Sequence, residues 1–314
     1  MLKLVVQRFI AAIPVLFLVA ACLFALFRFV PAEAPAVILG DGATPEALAR
    51  LREQMGLDRP ALVLFWEWLS GVLTGDFGTS YISRAPVIVE IFARLPVTIT
   101  LAAGGMVVAI FLGVPTGVLA ALYRNSIFDR ALTSLVSVLL AMPAFWLALL
   151  LMLYFGLTLR WFPVSGYTPF SENPKAWALG FVLPWLSLGF GATASIARHT
   201  RSTMIEQLDS QYVRALIARG CPSFRLIVKY CLKNALIPVL AVIGILTTLM
   251  LSGSLVIERV FALPGIGILI QNAVNSGDVP VLQGVVLLVA GFVILVNLVV
   301  DICFGLLDPK VRPE

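Results

Sequence analysis

The sequence is poor in charge. Asp, Glu, Lys and Arg make up 12% of its 314 residues, against 60% hydrophobic residues. An ordinary soluble domain is about 25% charged, so this chain lacks the polar side chains to cover a water-soluble globule. Its high hydrophobicity also excludes intrinsic disorder. Four cysteines in this length exclude a disulfide scaffold, and the spacing of Cys221 and Cys231 matches no metal motif. The single histidine, His199, has no evident nucleophile or orienting acid beside it. No Gly-x-x-x-x-Gly-Lys-Ser/Thr phosphate loop occurs, so ATP energy would have to arrive through a partner. The apolar segments also lack the paired acids or charged relays of an intramembrane enzyme or proton-coupled transporter. No catalytic, cofactor-binding or metal-binding residue is predicted.

What the chain has is long apolar runs, consistent with its mean hydropathy of +1.01. A spanning helix needs roughly 20 apolar residues, whereas a barrel strand needs only about 10 in alternation. The runs predict an all-α integral membrane protein with six transmembrane helices. The first, Phe9 to Phe27, lies within residues 1–30 and is too long for a signal-peptide core, which runs about 7–15 residues. A loop over 31–94 follows. The other runs are 95–123, 131–159, 176–197, 235–257 and 281–300, the last open to extension past Asp301. A loop over 198–234 separates the fourth from the fifth, and 309–314 form a tail. Pro115, Pro143 and Pro184 fall inside runs, which membrane helices tolerate when neighbours satisfy the freed carbonyls.

The distribution of basic residues predicts the orientation. With the N-terminus in the cytoplasm, the inner segments carry 13 Lys/Arg and the two short outer loops carry three, Arg160, Lys175 and Arg259. Both termini are therefore expected in the cytoplasm. The net charge of +5 follows from this topology and gives no reason to expect a nucleic-acid partner. Asp301, at the inner end of the sixth run, is expected to pair with a basic residue. The hydroxyls of Thr98, Thr100, Ser134, Ser137, Thr247, Thr248, Ser252 and Ser254 are expected mostly to bond their own or a neighbouring helix.

Two loops exceed what a connection requires. In the outer one, Thr44-Pro45-Glu46 reads as N-cap, N1 and N2 of a helix that Gly56 can end. A second amphipathic stretch surrounds Trp66, Leu69, Val72 and Leu73, and Gly75-Asp76-Phe77-Gly78 reads as a turn. The loop is predicted to be a small folded cap outside the membrane, either packing over the span ends or docking an external partner. The inner loop, Arg198 to Asn234, has 37 residues with seven Lys/Arg and two acids. Within it, Tyr212, Val213, Leu216 and Ile217 share one helical face, while Arg214 and Arg219 lie elsewhere. Gly220-Cys221-Pro222 stops the helix. The apolar face suits either another protein's groove or an anionic lipid surface.

These features resemble the inner-membrane permease subunit of binding-protein-dependent ABC importers, in the dipeptide, oligopeptide and nickel branch. The likeness runs the whole length. It includes Leu51-Arg52-Glu53-Gln54-Met55-Gly56-Leu57-Asp58-Arg59-Pro60, Leu73-Thr74-Gly75-Asp76-Phe77-Gly78-Thr79-Ser80 and Arg94-Leu95-Pro96. It continues in Pro143-Ala144-Phe145-Trp146, Trp161-Phe162-Pro163, Phe261 with Pro264-Gly265-Ile266-Gly267, and Asp308-Pro309-Lys310. The segment Tyr212-Val213-Arg214-Ala215-Leu216-Ile217-Ala218-Arg219-Gly220 resembles the cytoplasmic motif that docks on the ATPase subunit. Leu216 stands where the family usually has Ala, and Ile217 where it has a basic residue. The resemblance implies a type I importer permease in the bacterial inner membrane, forming half of a path for a peptide-like substrate. It also implies a second homologous permease, two ATPase domains that bind ATP and Mg, an external substrate-binding protein and membrane lipid as partners. Pro264, Gly265, Ile266 and Gly267 become candidates for an outer gate. The alternative is a stand-alone channel or secondary transporter for a small solute.

Overall fold

The computed structural model describes residues 2–29, 35, 39–40, 44–54 and 59–307. Twelve helices are named here in chain order. They are α1 Leu2–Phe29, α2 Pro45–Gln54, α3 Ala61–Thr74, α4 Val87–Leu122, α5 Ile127–Ala141 and α6 Ala144–Leu151. After them come α7 Pro174–Leu208, α8 Gln211–Ala218, α9 Ser223–Arg225, α10 Lys233–Val260, α11 Ile266–Ser276 and α12 Val279–Leu307. Wider π turns follow α6 at Met152–Thr158 and join α9 to α10 at Leu226–Leu232. The only bridge pairing among the described residues is Thr79 with Pro86.

Among the described residues, five helical stretches are long and apolar enough to cross a membrane: Val5–Phe27, Val87–Leu122, Pro174–Leu208, Ser223–Val260 and Val279–Ile302. The sixth is a bent pair, Ile127–Ala141 with Ala144–Thr158, turned by 103°. The expected third span over 131–159 is therefore not one straight rod. Its break falls at Met142-Pro143, where both residues are extended and Pro143 caps α6. Pro184 and Pro238, by contrast, sit inside continuous helices. The fourth apolar run ends at Ala197, but its helix continues to Leu208 and takes in the first part of the predicted inner loop.

The chain divides into two units. One comprises Met1–Leu4, Val97–Leu263 and Val296–Glu314. Its core draws Leu101 and Met106 from α4, Ala148 from α6, Phe181, Leu188 and Ile196 from α7, and Val239 and Ile257 from α10. Glycine lets α4 and α7 approach closely. A Cβ on Gly104 would fall 2.0 Å from Trp185 Nε1, and one on Gly117 would fall 2.5 Å from the Ala197 carbonyl. Trp177, Phe181 and Trp185 follow one another at helical spacing, with ring centroids 5.4 and 5.5 Å apart along the series. The hydroxyls of Ser137, Thr247, Thr248 and Ser254 bond carbonyls of their own helices, as expected. Thr98 instead donates to Glu258, 2.6 Å away and fully buried. That acid lies one residue past the fifth apolar run.

The other unit comprises Val5–Pro96 and Pro264–Leu295. Val87, Ile91, Ile266, Leu269, Val281 and Val285 form its core. Thr44 accepts from the Ala47 N–H, as an N-cap should. Gly75, at φ 88°, caps α3, with its N–H on Val72 and the Asp76 N–H on Gly71. The loop that follows is fastened to Asp278, whose carboxylate accepts from Ser80 Oγ at 2.5 Å and from the Tyr81 N–H at 3.1 Å. Burial and the Asp278 charge together push the Tyr81 phenol above its ordinary pKa. The proposed stop at Gly56, Leu57-Asp58 of the outer signature and Asp308-Pro309-Lys310 lie outside the described residues.

Candidate functional site

The inner hairpin is built on the overhanging end of α7. Asp209 closes that helix, and Ser210 Oγ donates to the Gln207 carbonyl at 2.5 Å. Ser210 then turns the chain into α8 in an extended conformation. At the far end the Gly220 N–H bonds the Ile217 carbonyl at 2.9 Å and the Cys221 N–H bonds Leu216 at 3.1 Å. This pair of bonds is a Schellman closure, which needs a left-handed residue at its corner. Gly220 supplies it at φ 73°. Pro222 then starts α9, and the π turn at Leu226–Leu232 leads without a break into α10.

Val213 is 1% exposed and packs with Ala121, Met204, Leu226, Cys231 and Ala235, with Leu216 half-buried against the same cluster. Val213 and Leu216, half of the predicted apolar face of α8, are thus turned into the chain's own core. This corrects the expectation that Val213 and Leu216 enter a partner. Tyr212 is held at the edge: its hydroxyl donates to Gln207 Oε1 at 2.8 Å and accepts from Asn234 Nδ2 at 3.4 Å. The outward side carries Gln211, Arg214, Ala215, Ala218 and Arg219, all exposed, with Ile217 beside them. It is a small, basic ridge on a locked base. Leu216 fills the base, and Ile217 places an apolar side chain on the surface.

Two ion pairs brace the same end of the unit. Arg124, just past α4, donates to Asp209 at 2.6 Å. This bond, helped by the charges of Arg124 and Arg214, holds the Asp209 carboxyl below the usual range against the opposing effect of burial. Arg201 on α7 grips buried Asp129 on α5 through Nε and Nη2, each at 2.7 Å. Asp129 also accepts from the Asn125 N–H at 3.0 Å. His199 lies exposed, with Nδ1 2.9 Å from the Ser195 carbonyl of its own helix. The sequence reading singled out neither acid, because nothing local marks an Asp as the partner of an Arg 72 or 85 residues away.

The outer candidates lie in the other unit. Gly265 is extended and caps α11, and Ile266 and Gly267 form that helix's first turn, both buried. Of the segment Pro264-Gly265-Ile266-Gly267, expected as a turn, the first two residues lead into α11 and the last two begin it.

A family profile described as the binding-protein-dependent transport system inner membrane component matches residues 113–313, and its N-terminal companion matches 1–102. A peptide transport system permease protein of Brucella abortus is 39% identical over 312 residues, covering 99% of each chain. The glutathione transport system permease protein GsiC of Salmonella choleraesuis is 37% identical over 312 residues, again covering 99% of each. Among solved structures, an inward-facing MetNI methionine ABC transporter matches with a TM-score of 0.57 at 16% identity. That match covers 70% of this chain and 96% of the other.

Proposed function

Because the chain belongs to the binding-protein-dependent transport system inner membrane components, we propose that it forms half of the translocation path of an ATP-driven importer. A second homologous permease completes the path, and two ATPase domains bind ATP and Mg and drive it. An external binding protein delivers the substrate. This chain binds no cofactor and catalyses no reaction itself. The names of its relatives, a peptide permease and a glutathione permease, favour a peptide-like substrate. Both termini face the cytoplasm, on the strength of the 13-to-3 asymmetry in Lys and Arg.

One observation carries the coupling role: α8 presents a small, basic ridge outward while Val213 anchors its other side in the core that α7 and α10 share. A helix so held transmits displacement to both long helices instead of rolling on its own. Arg214 and Arg219 steer and orient an acidic partner surface more than they add affinity. Closure of the ATPase pair would push α8 and switch the spans between two packed states. Pro264, Gly265, Ile266 and Gly267 serve as an outer gate, where the start of α11 moves as a rigid piece.

The test is purification of the tagged chain from membranes of its native cells. ATPase subunits should come down with it, and proteoliposomes should take up peptide only with ATP and the loaded binding protein. Uptake by the chain alone, without ATP, would overturn the reading in favour of a channel. Reporters fused after Glu314 and inserted near Ser210 should both read cytoplasm, and one near Gly42 should read outside. Val at both Gly265 and Gly267 should impair uptake yet leave ATPase association intact. Normal uptake would remove the gate assignment.

A further inference from the structure

Helix α3, Ala61–Thr74, is 14 residues long. An apolar helix of that length is too short to span a bilayer and fits an interfacial or re-entrant segment. Its residues sort into three stripes around the axis. One packs on α1: Phe65 is buried, with its ring 6.0 Å from Phe17 and 5.4 Å from Phe24, and Trp68 lies 6.3 Å from Phe24. A second stripe, Glu67, Ser70 and Thr74, is polar, and its one charge is matched by Arg59 at 2.5 and 2.8 Å. The third is Leu62, Trp66, Leu69 and Leu73. There Leu62 is 74%, Trp66 58% and Leu73 81% exposed.

The contacts on α1 set the depth. The membrane-crossing part of α1 is Val5–Phe27, so Phe24 lies near one end of it and Phe17 close to its middle. Seven residues of helix are about 10 Å, and Phe65 touches both levels. An element resting in water above the membrane would meet only the last turn of α1. Trp66 of the open stripe also lies 6.4 Å from Phe17, and α1 has an open, apolar surface of its own: Ile10 is 62% and Ile13 67% exposed. In a spanning helix that surface meets acyl chains.

We propose that α3 is inserted in the membrane alongside α1, with the Leu62–Trp66–Leu69–Leu73 stripe in acyl chains and the Glu67–Ser70–Thr74 stripe toward headgroups. The leaflet is the one at the C-terminal end of α1, which the proposed topology makes the outer one. This revises the sequence expectation of a loop folded wholly outside the membrane. An amphipathic helix of this kind binds through buried apolar area, with its polar stripe left at the headgroup level.

The experiment is site-directed spin labelling of Leu62→Cys and Leu73→Cys in the full-length chain, purified with its co-purifying subunits and reconstituted in liposomes, the four native cysteines being replaced. Labels at Ile13 on α1 and at Glu172 in an exposed loop provide lipid and water references. At both α3 positions, collisions with oxygen should exceed those with a water-soluble nickel chelate, as at Ile13. Chelate accessibility like that at Glu172 would put α3 in water and overturn the proposal. Shielding from both reagents would also overturn it, in favour of a protein partner covering the stripe. Replacing buried Cys231 risks the fold, so the unmodified chain is tested as well. A phospholipid with a photoreactive acyl chain should leave adducts on residues 61–74 at a yield within about threefold of those on α1, and adducts on α1 alone would refute insertion. Neither readout depends on transport, so failure here leaves the proposed importer role standing.

Discussion

Arg201 and Asp129 meet through two parallel N–H···O bonds of 2.7 Å, and the carboxylate they share is almost wholly buried. This pair ties the start of α5 to the overhanging part of α7. Removing one partner of a buried ion pair leaves an uncompensated charge, at a cost of about 3–5 kcal/mol. Arg201→Ala should therefore lower the thermal stability of the detergent-solubilised protein sharply. Arg201→Lys should restore only part of it, because an ammonium cannot reproduce the two-pronged geometry. The double variant Arg201→Leu with Asp129→Leu should be milder than Arg201→Ala. Equal melting temperatures for wild type and Arg201→Ala would contradict the bracing role.

A close approach governs the second prediction. Trp185 lies over Gly104 and donates from Nε1 to the Thr100 carbonyl at 2.9 Å. Even one methyl at Gly104 must displace the indole and cost that bond. Overpacking of this kind costs roughly 1–3 kcal/mol. Gly104→Ala should reduce the folded yield measured by fluorescence-detected gel filtration, whereas Gly180→Ala, with open space around it, should not. Equal yields from the two variants would mean that α4 and α7 are not held at this distance.

Backbone strain gives the third. Ala262 ends α10 with φ 53°, at the corner of a closure in which the Leu263 N–H bonds the Glu258 carbonyl at 2.8 Å. A left-handed alanine costs roughly 1–2 kcal/mol relative to a conformation with negative φ. Ala262→Gly removes that penalty, although glycine loses more freedom on folding. The variant is expected to be as stable as wild type or slightly better, and Ala262→Val clearly worse. A stable Ala262→Val protein would show that this corner relaxes away from the left-handed region.

The positions of the apolar helices were legible because membrane spans carry their signal in uninterrupted length. The bend at Pro143 was not. Pro143, Pro184 and Pro238 look alike in the sequence, and whether a proline breaks a helix depends on which neighbours satisfy the freed carbonyls. Helix α11 lay hidden between two spans, since 11 residues containing Gln271, Asn272, Asn275 and Ser276 read as a loop. In the inner hairpin, periodicity grouped Tyr212, Val213, Leu216 and Ile217, of which only Val213 is buried and Leu216 half-buried, while Tyr212 and Ile217 are exposed. It could not say which side the core was on: the pattern of a face buried in its own protein is that of a face offered to another. The corner glycine needed no tertiary information, because Gly followed by Cys-Pro defines a helix stop locally.

Arg124 and Asp209 link the end of α4 to the turn that launches α8. Both are half-exposed, so the pair matters more for position than for stability. Asp209→Asn should blunt ATP hydrolysis stimulated by the binding protein with little change in melting temperature, and exchanging the two residues should restore much of the response. The sign of the pH effect is fixed by the lowered pKa of Asp209. Its contribution is present above the ordinary carboxylate value of about 3.9 and fades as pH falls through the lower folded value. Between pH 6 and 8 the pair should therefore be constant. A stimulated activity that tracks this pair across that interval would contradict the assignment.

Gly220 allows backbone geometry to be separated from packing. A Cβ built there meets nothing within 4 Å, so a larger residue does not clash. The difficulty is φ 73°, which a β-branched residue resists strongly and Asn accepts more readily. If the Schellman closure fixes the angle at which α8 presents Arg214, Ala215 and Ala218, substitutions should rank by their tolerance of the left-handed region and not by size. Gly220→Asn should keep most of the uptake in proteoliposomes. Gly220→Ala should fall between, and Gly220→Val should lose uptake while the protein still inserts in the membrane. The Val variant should either release the ATPase or leave hydrolysis unresponsive to the loaded binding protein. Val at Gly180 controls for size alone, since that glycine also has open space around it but lies in a helix interior at ordinary φ. Wild-type uptake and wild-type stimulation in Gly220→Val would remove α8 from the coupling route, and a basic hairpin lying on anionic lipid would become the better description of this segment.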